Sequence, residues 1–456
     1  MSDDQQHADH DADRAAADRV YAELLARIGE HAPQPRLEPT RRAVELLGDP
    51  QRSYGVIHIT GTNGKTSTSR IAESILRAHG LRTGLMTSPH LVRVNERIVI
   101  DGEPISDRAL ADNWEDIQPY LLMVDAELTA NGEEPLTYFE ALTVLAFACF
   151  ADAPVDVAVV EVGMGGEWDS TNVADGDVAV LTPIALDHTH RLGSTVAEIA
   201  RTKAGIIKPA AQVVTALQQT EAMDEITRAA EHDEATIVAE GVDFQVLDAR
   251  LAVGGQALTV RGRAATYDDL LLPLFGPHQA QNAAIAIAAV ESFLGAGTQP
   301  IAPDVLAEGL AAVRSPGRLQ IVATEPTVLV DAAHNPHGAE ALARAVMGSF
   351  AFTAVTAVIG VLDDKDAHGI IAALDPVVER FVVTQSDSER AIPADELAEI
   401  AAQIAGPDRV VVAVDPADAI ESARQSSEPS AAVLVTGSIT LVGQAISILA
   451  RENGDS

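Results

Sequence analysis

Residues Val56-Ile57-His58-Ile59-Thr60-Gly61-Thr62-Asn63-Gly64-Lys65-Thr66-Ser67-Thr68 constrain this chain more than any other stretch. They read as a buried strand entering a glycine-rich turn. A helix follows from about Thr66 to His79 and stops at Gly80. Such a turn aims backbone N–H groups and a helix N-terminus at one spot, with Lys65 adding a positive charge. That spot suits the phosphates of a nucleotide, and the Thr66 hydroxyl suits a magnesium ion. The first glycine of the general pattern G-x-x-x-x-G-K-[ST] would fall at Ile59, so the loop is a shorter variant that begins at Gly61. The plainer reading is an ordinary strand-to-helix turn with a solvated lysine. Gly-Lys-Thr between a strand and a helix favours the phosphate site.

At 456 residues the chain exceeds one ordinary core, so two or more domains are expected. With 31 basic and 67 acidic residues the formal charge is −36, which repels nucleic acid and anionic membranes and leaves neither as an expected partner. The single cysteine, Cys149, sits in the apolar run Ala146–Phe150 and reads as a small core residue. The acidic start through Arg14 lacks a secretory pattern, and no apolar run is long enough to span a bilayer. The expectation is a cytoplasmic enzyme.

Residues 1–17, rich in Asp, Gln and His, read as a disordered acidic tail; His7 and His10 there read as solvated rather than metal-binding. Tyr21–Ile28 reads as the first helix and Pro33–Pro39 as a linker. Strands are expected at Val155–Val160, Val178–Thr182 and Gln212–Thr215, and later at Val328–Val330, Ala354–Ile359, Phe381–Thr384, Val410–Val414 and Val433–Thr436. Near-continuous apolar strands separated by alanine-rich helices predict parallel sheets covered on both faces. Phe244–Leu274 reads as a smaller β-rich insertion with a hairpin at Gly254-Gly255. The boundaries expected are 18–298 for a P-loop ATPase domain and 299–456 for a second α/β domain, with Ser315–Arg318 as hinge partner. Glu161, Asp187, His188, Asp331 and Ser438 all lie just beyond strand ends, where open parallel sheets bind ligands.

The motifs, in order, are Gly61–Ser67; Thr87-Ser88-Pro89-His90-Leu91 with Asn95–Ile98; Leu136–Glu140; Glu161–Gly166 with Asp169–Asn172; and Ala185–His188. Lys203–Lys208, His278–Ala283, Asp331–Pro336 and Thr436–Ser438 follow. Together they resemble the folylpolyglutamate synthase/dihydrofolate synthase family of the Mur ligase superfamily, from about Tyr21 to the C-terminus. The resemblance implies a Mur ligase-like P-loop ATPase domain and a C-terminal Rossmann-like α/β domain. It implies a ligase that joins L-glutamate to dihydropteroate or to a folate glutamate chain, with ATP as co-substrate.

A carboxylate is a poor acyl donor, so phosphorylation by ATP would make an acyl phosphate for the glutamate amine to attack. Lys65 would hold the β- and γ-phosphates within the loop Gly61, Thr62, Asn63, Gly64, Thr66 and Ser67. The resemblance further implies two Mg²⁺ ions, with Thr66, Ser88 and Glu161 at the first and His188 at the second, and leaves room for a monovalent cation. It implies a carbamylated Lys203 (N6-carboxylysine). A lysine desolvated near cations has a lowered pKa and can capture CO₂; the plainer reading is a lysine paired with phosphate or Asp187. Asn282 (with His278 and Gln279), Arg318, Asp331 and His334 would serve ATP, and His334 and Ser438 the glutamate. Pro89, His90, Thr137, Phe139, Asp169 and Ser170 would meet the pterin. Glu167-Trp168 stands where many relatives carry a basic residue after the glycines. The expected partners are dihydropteroate, tetrahydrofolates, L-glutamate and ATP, and the expected state is a monomer. Two alternatives stay open, a polyglutamate-only synthase and a Mur-type ligase of cell-wall precursors; no room for a separate UDP-binding domain ahead of residue 54 weighs against the latter.

Overall fold

The computed structural model describes residues 3–30 and 32–452. Two compact units emerge. One comprises the chain up to Leu247 with Thr259–Leu270 and Asn282–Ala312; the other comprises Asp248–Leu258, Leu271–Gln281 and the chain from Val313 onward.

In the first unit, strands β1 (Gly55–Thr60), β2 (Thr83–Met86), β3 (Ile98–Ile100), β4 (Glu103–Pro104), β5 (Val157–Glu161), β6 (Val178–Leu181), β7 (Gln212–Thr215) and β8 (Thr236–Ala239) form one sheet. Their order is β4-β3-β2-β5-β1-β6-β7-β8. The six from β2 to β8 are parallel, and β3 and β4 extend the edge antiparallel. The central strand β1 lies between β5 and β6, so the ends of all three come out side by side. Every residue of β5 is buried, as expected of a strand with helices on both faces. Phe147 and Phe150, both fully buried, fill the core on one face.

Strands β9 (Gln245–Ala252), β10 (Gly255–Arg261) and β11 (Thr266–Leu272) form the expected small sheet, turning at Val253-Gly254. In the second unit β12 (Gln320–Thr324), β13 (Thr327–Val330), β14 (Val355–Ile359), β15 (Arg380–Val383), β16 (Val410–Val412) and β17 (Ala432–Thr436) are ordered β12-β13-β17-β14-β15-β16, with only β12 antiparallel. Each expected strand appears within a few residues. Strands β2, β3, β4, β8 and β12 were not anticipated; each is a short strand without a long apolar run.

Three expectations are corrected. Residues 3–25 form one helix rather than a disordered tail followed by a helix from Tyr21. Ala17, Val20 and Leu24 repeat at helical spacing and are buried, and this stripe docks the helix. Met1 and Ser2, the start of the expected tail, lie outside the described residues. Pro39 is no linker residue but the Pro of a first helical turn at Glu38–Leu46. The boundary near 299 moves to Val313, because the Pro303–Ala311 helix belongs to the first unit. There Ser74 Oγ donates to the Gly309 carbonyl at 2.6 Å, and a Cβ on Gly309 would stand 2.8 Å from Ile75 Cα. Among the described residues, no helix is long and apolar enough to cross a membrane.

Candidate active site

The loop after β1 needs glycine at two positions for steric reasons. Gly61 has φ +149° and a Cβ there would stand 1.9 Å from Thr182 Oγ1; Gly64 has φ +88° and a Cβ would stand 2.5 Å from Asn282 Oδ1. The helix then starts at Lys65 and ends at Ala78, placing its positive end at the loop. Lys65 folds back, its Nζ donating to the carbonyls of Gly61 at 3.1 Å and Thr62 at 3.2 Å. Thr62, expected in the phosphate cradle, has its polar groups tied to the segment after β6. Its amide donates to Pro183 O at 3.0 Å, and its hydroxyl donates to Ala185 O and accepts the Ala185 amide, each at 3.0 Å. It therefore anchors the loop to the segment that carries Asp187 and His188.

Glu161, the last residue of β5, is 1 % exposed. Its Oε1 accepts the Thr66 hydroxyl at 2.9 Å and its Oε2 accepts the Ser88 amide at 3.3 Å. The structure thus brings together the three groups expected at a first metal ion. Glu96 shapes the loop carrying Ser88 by accepting the amides of Leu91, Val92 and Arg93. His188 has φ +49°, a conformation unusual outside glycine. Its amide donates to its neighbour Asp187 Oδ1 at 2.8 Å, and its Nε2 lies 4.0 Å from that oxygen.

Lys203 is 4 % exposed and its Nζ donates to Gly61 O at 2.8 Å. Burial, joined by the charge of Lys65 and opposed by Asp187 and Asp169, lowers its pKa to about 7. Its backbone is clamped to the glycine turn Gly163–Gly166: Glu167 N donates to Thr202 O at 2.8 Å, and a Cβ on Gly166 would stand 2.7 Å from Lys203 O. Asn172 completes the clamp, donating to Glu167 O and Gly205 O at 3.0 Å each. Asn172 lies within one of the motifs, with no role evident from its sequence context. Its partners are backbone carbonyls, which leave no trace in sequence.

The residues expected around a pterin divide. Phe139 stays half-buried with its ring edge against Gly163, where a Cβ would come within 2.5 Å of Cε1. Thr137 is instead the N-cap of the Tyr138–Asp152 helix. It forms a capping box with Glu140, which Arg36 grips at 2.9 and 3.0 Å. The T-x-x-E spacing was the available signal for this. Ser170 is buried with its hydroxyl 2.7 Å from Thr143 Oγ1. Asp169, 4 % exposed, accepts Met164 N at 2.9 Å and the Thr171 amide and hydroxyl. A carboxylate offers about four lone pairs, so roughly one acceptor position remains. Pro89 is exposed, whereas His90 is committed to its neighbours. His90 Nδ1 accepts Arg97 Nε at 2.8 Å, and burial together with Arg97 pushes its pKa down to about 3.

Because Glu140 closes a helix cap and an ion pair with side-chain exposure of 18 % for Arg36 and 5 % for Glu140, its loss is expected to destabilise strongly. Glu140→Ala should lower stability by about 2–4 kcal/mol, read as a lower denaturation midpoint in urea. An unchanged midpoint would refute this structural role.

In the second unit, Asp331 accepts the amides of Leu319 and Ala333 at 2.8 Å each. Burial raises its pKa against the pull of Arg318. His334 Nδ1 donates to Ala332 O at 2.9 Å, which turns Nε2 away from that carbonyl. His278 is buried and held neutral, its pKa lowered to about 4 by burial and then by Arg318, Arg344 and His337. Asn282, in the first unit, is buried against the Gly64 turn. Ser438 was expected to face glutamate, yet its side chain is wholly buried and accepts the Leu441 amide at 3.2 Å. It caps the final helix, next to Gly437, where φ is +104°.

Comparison with known proteins gives the family. The Mur ligase middle domain matches residues 59–290, and the Mur ligase glutamate ligase domain matches residues 317–439. The dihydrofolate synthase/folylpolyglutamate synthase of Mycobacterium tuberculosis is 43 % identical over 452 residues, covering 93 % of each chain. The Escherichia coli protein of the same name is 35 % identical, covering 92 % of each. The solved structure of Mycobacterium tuberculosis folylpolyglutamate synthase complexed with ADP matches with TM-score 0.92 and 42 % identity, covering 96 % of this chain and 99 % of that one. Escherichia coli FolC in complex with DHPP and ADP matches with TM-score 0.80 and 32 % identity, covering 92 % and 94 %. This chain belongs to the dihydrofolate synthase/folylpolyglutamate synthase family of the Mur ligases.

Proposed function

We propose that this enzyme, an ATP-dependent glutamate ligase, adds L-glutamate both to dihydropteroate and to folate glutamate chains, working as a cytoplasmic monomer. The observation that carries the site assignment is the meeting of Glu161, Thr66 and Ser88 beside the Gly61–Ser67 loop.

The donor set around Glu161 fits Mg²⁺. Two oxygen donors, the Glu161 carboxylate and the Thr66 hydroxyl, lie 2.9 Å apart. Among the described residues no cluster of three or more His, Cys, Asp or Glu forms a cage. A hard ion that keeps waters and phosphate oxygens needs no such cage. Glu161, Thr66 and Ser88 would hold one ion, and His188 with Lys203 a second. Bound there, Mg²⁺ would supply charge neutralisation for the triphosphate.

The chain's own groups act as follows. The helix N-terminus at Lys65 and the Lys65 ammonium hold the β- and γ-phosphates and draw negative charge away from the γ-phosphorus. The substrate carboxylate, set beside Phe139 and the glycine turn, attacks that phosphorus. ADP leaves and an acyl phosphate forms. The neutral amine of glutamate then attacks the acyl carbon, the amide forms, and phosphate leaves with the bonding pair. The amine proton passes to solvent. Arg318, Asp331 and His334 would steady ATP and glutamate, and Lys203 would act as its carbamate. Asp169 would place the glycine turn and spend its remaining acceptor position on the pterin edge.

Coupled ADP release should depend on glutamate with dihydropteroate and with tetrahydrofolate alike. Activity with tetrahydrofolate alone would leave a polyglutamate-only synthase. Activity with neither acid would overturn the reading.

A further inference from the structure

The buried histidine of β1 belongs to no part of the site described so far. His58 is wholly buried, its Nε2 lies 2.9 Å from Thr171 Oγ1, and its Nδ1 has no partner among the described residues. Thr171 Oγ1 in turn donates to Asp169 Oδ1 at 2.5 Å. Asp169 also accepts the amides of Met164 and Thr171, one on each oxygen, so its role is that of an acceptor throughout. The Thr171 proton is therefore spent on the carboxylate, and Thr171 Oγ1 must accept from His58. This fixes the tautomer of His58 as Nε2–H, with Nδ1 bare.

The direction of the chain matters because of where it ends. Asp169 holds the amide of Met164 inside the glycine turn. That turn touches the Phe139 ring at Gly163 and the Lys203 backbone at Gly166, and Gly165 O is tied to β1 by the Thr60 hydroxyl at 2.7 Å. We propose that His58 is a positioning residue: through Thr171 and Asp169 its Nε2–H orders a buried hydrogen-bond chain that sets the glycine turn between Phe139 and Lys203. The proposal rests on the reading of these two residues as the walls of the organic-acid site. A bare, buried Nδ1 carries a desolvation penalty, which is tolerable where the same ring orders a chain that the site requires.

Four variants of the full-length enzyme test it. Thr171→Val keeps the shape and removes the hydroxyl, and Thr171→Ser restores it. His58→Leu removes the donor, while His58→Gln returns an N–H at the reach of Nε2. Loss of the buried Thr171–Asp169 hydrogen bond, or of the His58 N–H that orders it, should lower kcat/KM for the acid substrate about tenfold in Thr171→Val and His58→Leu. The KM for ATP should not move, and Thr171→Ser and His58→Gln should recover most of the loss. The Met164 amide should exchange faster with solvent in the two deficient variants only. In the wild type, ¹⁵N NMR of labelled histidine, assigned by its loss in His58→Gln, should show the Nε2–H tautomer. An Nδ1–H tautomer, unchanged kcat/KM in Thr171→Val, or an equal loss toward ATP would overturn the proposal. If the wild type used neither acid, the functional reading would fall, and the tautomer and Met164 exchange would still decide the chain.

Discussion

Lys65→Ala is expected to lower turnover by about a thousandfold while the protein stays folded. The ammonium reaches the carbonyls of Gly61 and Thr62 and stands at the mouth of the loop. Alanine is the best helix former and sits here at the first helical position, so stability should shift by less than about 1 kcal/mol. Steady-state ADP release and a denaturation curve measure the two effects. Wild-type turnover in a folded Lys65→Ala protein would remove this loop from the reaction.

The second large effect concerns Lys203, where activity and stability should move in opposite directions. Lys203→Met should reduce turnover by about a hundredfold or more, because the group next to Gly61 O is lost. Removing a buried ammonium should leave stability unchanged or higher. The sign with pH follows from the lowered pKa of about 7 against an ordinary 10.5. Between these values the unfolded chain binds the extra proton, so unmodified wild-type enzyme gains stability as pH rises from about 7. Lys203→Met should lack that gain, which denaturation curves across this range would show. Above about pH 7 the amine is mostly neutral and competent to take up CO₂. Activity of bicarbonate-depleted enzyme should therefore rise on adding bicarbonate, and intact mass should show one added CO₂. An active enzyme with a bare amine and no response to bicarbonate would exclude the carbamate.

Much of the site was legible because its determinants are local. A strand, two glycines and Lys65-Thr66 form a turn suited to phosphates from their own backbone preferences, and Glu161 stands out as a carboxylate ending an apolar strand. Residues that act through carbonyls or caps were not legible. The helix-capping bonds of Thr137 and Ser438 were not read from the sequence. Asn172 carried no assigned role because its partners are backbone carbonyls, and His58 because Thr171 is distant in sequence.

The order of apolar strands and alanine-rich helices, with the turn chemistry between them, determined the fold class, because burial on two faces demands continuous hydrophobic runs in each strand. The same order of motifs pointed to the family. Only the tertiary structure decided which polar residues share a space. Crossover connections set β1 between β5 and β6, which alone brings Thr66 to Glu161, Lys203 to Gly61 and His58 to Thr171. Such pairings span tens to more than a hundred residues, and hydrogen bonds of a few ångströms are fixed by packing rather than by any local preference.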